Sequence, residues 1–144
     1  ESRVDPKFIE LEITESLLSE DPADVIEKLY KLKDLGTNIA IDDFGSGYSS
    51  LIRLKLVPFD RLKIDKEIID YIDLERKRAP LTETIISLAR TLRASVTAEG
   101  VETKEQADFL RSIACDEIQG YYFSRPLSPE ALEEFLKEER YNRM

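Results

Sequence analysis

The chain has 144 residues, a formal net charge of −9, a single cysteine and no histidine. That length suits one domain with a real core, and the missing imidazole excludes Ser-His-Asp, Cys-His and His-ligated zinc chemistry. The acidic balance argues against general nucleic-acid binding but leaves a small phosphorylated ligand open, because bound cations offset local repulsion.

The first strand is expected over Phe8 to Thr14. A helix follows, with Asp21 as N-cap and Pro22 at its first position. It carries Val25, Ile26, Leu29, Tyr30 and Leu32 on one stripe and stops at Gly36. The second strand, Asn38 to Asp43, leads through a glycine loop into a short helix around Ser50 to Leu56. The third, Arg61 to Asp65, leads into Ile68, Ile69 and Ile72 and then a charged stretch from Asp73 to Arg78. A longer helix from Pro80 to Arg93 shows Ile85, Ile86, Leu88, Ala89 and Leu92. The fourth strand, Ser95 to Glu99, precedes a helix opened by Thr103 and Gln106, which fit a capping box. The fifth, Glu117 to Tyr122, is followed by Ser128-Pro129 and a final amphipathic helix with Leu132, Phe135 and Leu136. This alternation predicts an α/β fold with a parallel sheet and crossover helices.

Side chains alternate between the two faces of a strand. Ile9, Leu11 and Ile13 therefore share one face, and Glu10 and Glu12 the other. Asp42 lies with Ala40, opposite Ile39 and Ile41. Lys63 lies opposite Leu62 and Ile64. Glu99 lies with Ser95 and Thr97, and Gln119 with Glu117. Every strand thus has one face fit for helices and one that presents a polar group near its C-terminal end. Both a β/α barrel and an open sheet put their ligands there, so periodicity leaves the two open.

Adjacent Asp42 and Asp43 point to opposite sides of a strand until the chain turns, where both can reach a cation. Carboxylates gathered on one face, Glu12 and Glu99 among them, repel unless metal or protons neutralise them. This set points to a divalent-metal site and metal-assisted hydrolysis of a phosphate ester. Lys63 reads equally as a salt-bridge partner or as a group that orients water or phosphoryl oxygen. Gln119 reads as a buried hydrogen-bonding group or a water or substrate contact. The Gly-Ser-Gly after Phe44 lacks the lysine of a P-loop, so it reads as a turn, which Glu15 is close enough to anchor. Cys115, among Ile113, Ala114 and Ile118, reads as a core thiol. No apolar run reaches the ~20 residues of a membrane span, so a cytoplasmic location is expected, with any anchor belonging to other domains of a parent.

Five segments, in order, resemble the motifs of EAL domains: Glu12-Ile13-Thr14-Glu15, Asp42-Asp43-Phe44 with the Gly-Ser-Gly-Tyr-Ser-Ser that follows, Lys63-Ile64-Asp65, Ala98-Glu99-Gly100-Val101-Glu102 and Gln119-Gly120-Tyr121. The resemblance runs from about residue 5 to 138. It implies a TIM-barrel-like fold, Mg²⁺ or Mn²⁺ at the strand ends, and two-metal hydrolysis of cyclic-di-GMP to linear pGpG. By the same resemblance Glu12, Asp42 and Asp43 are metal ligands, with Asp42 bridging. Lys63 and Glu99 position and deprotonate the attacking water, with action through a metal left open for Glu99; Gln119 lies near that water, and Glu15 anchors the loop after Asp43. The resemblance further implies a homodimer, and cyclase or sensory domains in a parent protein.

The Glu-Ala-Leu motif that names the family, and an asparagine ligand, are absent ahead of Glu12. A complete barrel takes ~250 residues. The expectation is therefore about five C-terminal β/α units of the barrel over residues 1–144, inactive alone for want of two metal ligands. The alternative is a non-catalytic module for cyclic-di-GMP binding or dimerisation.

Overall fold

The computed structural model describes residues 4–17, 22–45 and 51–137. Five strands, β1 (Glu10–Thr14), β2 (Asn38–Phe44), β3 (Arg61–Ile64), β4 (Ser95–Ala98) and β5 (Glu117–Ile118), lie side by side in chain order. All four pairings are parallel. An open doubly wound sheet reverses its strand order at a switch point. Strictly consecutive order without a reversal is that of a barrel wall, which decides the question that periodicity leaves open.

The helices are α1 (Pro22–Asp34), α2 (Leu51–Leu54), α3 (Lys66–Asp70), α4 (Pro80–Leu92), α5 (Lys104–Ser112) and α6 (Pro129–Lys137). Ile39, Ile41, Leu62, Ile64, Val96 and Ala98 are fully buried on one face of the sheet, and join the core with Leu29 of α1, Ile85, Ile86 and Ala89 of α4, and Ala107 and Leu110 of α5. Burying each large side chain contributes roughly 1.5–3 kcal/mol. Cys115 packs against this core, and its thiol donates to the carbonyl of Glu117 at 3.2 Å. Burial pushes that thiol up, away from the thiolate a nucleophile needs.

Local signals set several boundaries. Gly36 takes φ +91° where α1 ends. The Thr103 hydroxyl accepts from the Gln106 amide, and the Gln106 side chain accepts from the Thr103 amide, completing the capping box of α5. The Ser128 hydroxyl accepts from Ala131 N at the start of α6.

Other expectations need correction. β1 starts at Glu10 rather than at Phe8, because Phe8 belongs to a 3₁₀ turn over residues 6–8 in which Asp5 caps the Lys7 amide and Pro6 lacks a donor. Asp65 is not the end of β3 but the N-cap of α3, accepting from Glu67 N at 2.6 Å. β5 ends at Ile118, and residues 120–122 turn back onto Val101. Tyr30 and Leu132 are exposed rather than core-facing, and α6 buries no residue. The expected N-cap Asp21 and the loop from Ser46 to Ser50 lie outside the described residues. Among the described residues no helix is long and apolar enough to cross a membrane.

Candidate functional site

The site is built where β2 breaks its register. The pairing with β3 shifts between Ile41 and Phe44, and Asp43 within that bulge takes φ +52°. Asp is one of the few residues with a side chain that enters the left-handed region at modest cost. The bulge cancels the alternation that sends adjacent side chains apart. As a result carboxylate oxygens of Asp42, Asp43 and Glu99 lie within 4.8 Å of one another. Glu99 follows β4 directly, and its amide continues the ladder by donating to Ile64 O at 3.1 Å.

Lys63 stands at the centre of the acids. It is buried, and its Nζ lies 2.7 Å from Glu12 Oε1, 2.8 Å from Glu99 Oε1 and 3.0 Å from Asp42 Oδ1. Burial works against its charge, but donation to Glu12 and Glu99 and the Asp42 carboxylate outweigh it and hold the pKa above the ordinary lysine range. Asp43 is shifted up in turn, by desolvation first, then by the charges of Asp42 and Asp65 and a hydrogen bond shared with Asp65; Lys63 partly offsets this.

These residues fit a divalent cation. Asp42 Oδ1 is buried and has no hydrogen-bond partner; its near neighbour is the Lys63 ammonium, ion-paired at 3.0 Å. A buried carboxylate oxygen without a hydrogen bond is costly unless something else neutralises it. All the neighbouring donors are carboxylate oxygens, the set that suits hard cations such as Mg²⁺, Mn²⁺ or Ca²⁺. Glu12 is farther from a shared focus: it meets Lys63 but is not one of the three clustered carboxylates.

The surroundings complete the site. Glu15, 5% exposed, accepts from Gly45 N at 3.0 Å and so ties the end of β1 to the chain just after Asp43. Gln119 continues β5, donating its amide to Ala98 O at 2.8 Å. It lines a cleft of about 450 Å³ together with Asp43, Asp65, Lys66, Glu99 and Tyr121. Gly120 closes one side of that cleft. A Cβ there would stand 2.1 Å from Val101 O and 2.4 Å from Val101 N, so backbone packing demands glycine.

A family model described as EAL domain matches residues 1–126. The chain belongs to the EAL domain family. It is 45% identical over 135 residues to "Cyclic di-GMP phosphodiesterase NbdA" of Pseudomonas aeruginosa, covering 94% of this chain and 17% of that protein. It is 43% identical over 129 residues to "Oxygen sensor protein DosP" of Escherichia coli, covering 90% of this chain and 16% of that protein. Among solved structures, the PaMucR phosphodiesterase in complex with c-di-GMP superposes with a TM-score of 0.83 at 40% identity, over 90% of this chain and 52% of that one. Klebsiella pneumoniae BlrP1 with manganese and cy-diGMP gives a TM-score of 0.73 at 31% identity, over 85% of this chain and 31% of that one. This EAL chain thus spans about a sixth of the curated relatives' length.

The fold is accordingly TIM-barrel-like, with five consecutive β/α units described here. Two features of this EAL chain lie outside those motifs. The letters of the family name do occur, as Glu130-Ala131-Leu132, but in the first turn of α6; there Glu130 is exposed, and hydrogen bonds with its own backbone and Ser128 lower its carboxyl pKa. The other is Arg61, which shares the polar face with Lys63, a signal that alternation carries.

Proposed function

We propose that the chain is the C-terminal part of a metal-dependent phosphodiesterase domain that hydrolyses cyclic-di-GMP to linear pGpG. The observation that carries this reading is the convergence of Asp42, Asp43 and Glu99 oxygens within 4.8 Å, beside Lys63 and an open cleft. In this reading Glu12, Asp42 and Asp43 would hold two divalent cations, Mg²⁺ or Mn²⁺. The bound cations supply Lewis acidity toward phosphoryl oxygen and make nearby water more acidic.

The side chains divide the remaining work. Lys63 is held as a cation, so it serves as a donor and counter-charge toward phosphoryl oxygen, not as a base. Of the pair Lys63 and Glu99, Glu99 is therefore the proton acceptor for the attacking water, at a carboxylate oxygen. Gln119 orients that water or the substrate from the cleft wall. Glu15 fixes Gly45, and through it the position of Asp43.

The family's Glu-Ala-Leu motif and an asparagine ligand belong ahead of Glu12, and coverage of 52% of the PaMucR chain agrees with a partial domain. The 144 residues alone should therefore turn over poorly. The same shortfall supports a second reading for the isolated chain, a cyclic-di-GMP-binding or dimerising module. Homodimerisation through this domain, with cyclase or sensory domains in the parent, belongs to the proposal as well.

The test is cyclic-di-GMP hydrolysis by the full-length parent with Mg²⁺ or Mn²⁺, comparing the parent with Glu99→Gln. Loss of pGpG formation with ligand binding retained is expected. Hydrolysis undiminished by Glu99→Gln overturns the assignment of the base, and a parent that binds but never hydrolyses favours the sensing reading.

A further inference from the structure

Next to the acidic centre, on the same polar face, lies a second ion cluster that none of the roles above uses. Arg61 Nε donates to Glu10 Oε2 at 2.9 Å, and its Nη1 donates to Thr97 Oγ1 at 3.0 Å and pairs with Glu117. One guanidinium therefore joins side chains from β1, β3, β4 and β5. The arrangement is systematic. Glu10 is two residues before Glu12, Arg61 two before Lys63, Thr97 two before Glu99 and Glu117 two before Gln119. Two residues is one repeat of a strand face, ~6.6 Å along the chain. Each partner of Arg61 thus sits one repeat before a residue of the centre.

β2 completes the pattern by stepping aside. Ala40, the register partner of Arg61 and two residues before Asp42, is fully buried and presents only a methyl group. That leaves the guanidinium room to cross β2 and reach Glu10 on β1. β5 is only two residues long and, among the described residues, pairs with β4 alone, so the Arg61–Glu117 contact is a cross-sheet tie on the segment that carries Gln119.

We propose that Arg61 is a positioning residue for the acidic centre, fixing the spacing of β1, β3, β4 and β5 so that Glu12, Lys63, Glu99 and Gln119 converge. The part of this that concerns metal rests on the function proposed above; the part that concerns Lys63 does not. A planar guanidinium offers its N–H groups in a fixed fork, so contacts to several acceptors constrain distance and direction together. Lysine at this position keeps the charge but not the fork.

The test separates positioning from charge and from stability. Arg61→Met combined with Glu10→Gln removes one positive and one negative charge, leaving the net charge unchanged. Two measurements on the whole chain follow, with folding checked by circular dichroism: the ¹⁵N resonance of the Lys63 ammonium in EDTA, and Mn²⁺ binding by calorimetry. The Lys63 signal is expected to exchange faster and broaden, and Mn²⁺ binding to weaken about 10-fold, the low end for groups that orient ligands from outside the first shell. Arg61→Lys should fall between the two, and carries the test if the double variant does not fold. A lower melting temperature with an unchanged Lys63 resonance shows a merely structural role and overturns the proposal. If the unmodified chain binds no Mn²⁺, metal binding needs ligands from beyond these residues, and the Lys63 resonance by itself decides the role of Arg61.

Discussion

Replacing Lys63 by methionine tests the electrostatics of the centre directly. The variant keeps an apolar stem of similar length and removes the charge that faces Glu12, Asp42 and Glu99. Removing one partner of a buried ion pair typically costs ~3–5 kcal/mol, because the other charge is left uncompensated. The three contacts are unequal. The Glu12 side chain is 48% exposed, against 22% for Asp42 and 19% for Glu99, so water screens the first contact to the level of a surface pair, ~0–1 kcal/mol. The weight falls on the other two, which places the cost near the low end, about 3 kcal/mol. For a domain of this size that corresponds to a fall in melting temperature on the order of 10 °C. Calorimetry at neutral pH in EDTA reads this loss. Saturating Mn²⁺ gives the same acids another counter-charge and binds only the folded state, so the deficit should shrink to less than half. A fall below about 2 °C in EDTA, the size expected of an exposed pair, refutes the reasoning. So does a deficit that Mn²⁺ leaves untouched.

Three further outcomes follow. Asp43 has its folded pKa above the unfolded value, so its ionised form is disfavoured in the fold; that penalty is absent below about pH 4 and grows as pH rises through the folded pKa. Asp43→Asn, which also tolerates the left-handed backbone, should therefore melt higher than the unmodified chain at neutral pH without metal, and the gain should vanish in acid; a lower melting temperature at neutral pH counts against the shift. Glu15→Ala removes the buried acceptor of the Gly45 amide, at a cost of about 1–3 kcal/mol, and hydrogen exchange at Gly45 should accelerate; an unchanged rate refutes the tie. Gly120→Ala drives a Cβ into the backbone of Val101, where nothing flexible can yield, so a loss above about 2 kcal/mol is expected from overpacking; equal stability by urea denaturation would mean that this turn relaxes freely.

Much of the site was legible in the chain because strand alternation is a local rule. Glu12, Lys63 and Glu99 fall on the polar face by counting in twos, and Ile39, Ile41, Leu62, Ile64 and Val96 fall on the buried one. The capping box at Thr103 and the Ser128 cap are equally local, each decided within four residues. The errors were local too. Asp65 reads as the end of an apolar run, but its carboxylate does better as a helix cap, and Phe8 leaves the expected strand for a turn set by Pro6 and the Asp5 cap.

The sequence alone determined the α/β alternation, the absence of imidazole chemistry and the gathering of carboxylates at strand ends, because periodicity and residue chemistry survive without long-range contacts. Only the tertiary structure decided that the strands run in consecutive order, since strand neighbours are chosen by packing across crossovers and not by any one segment. It alone showed the bulge that turns Asp43 to the same side as Asp42, a left-handed backbone that two adjacent aspartates permit but do not require. And it alone brought Arg61 to Glu10, 51 residues away and across β2. Such a contact depends on register, and register is fixed only when every strand has found its neighbour.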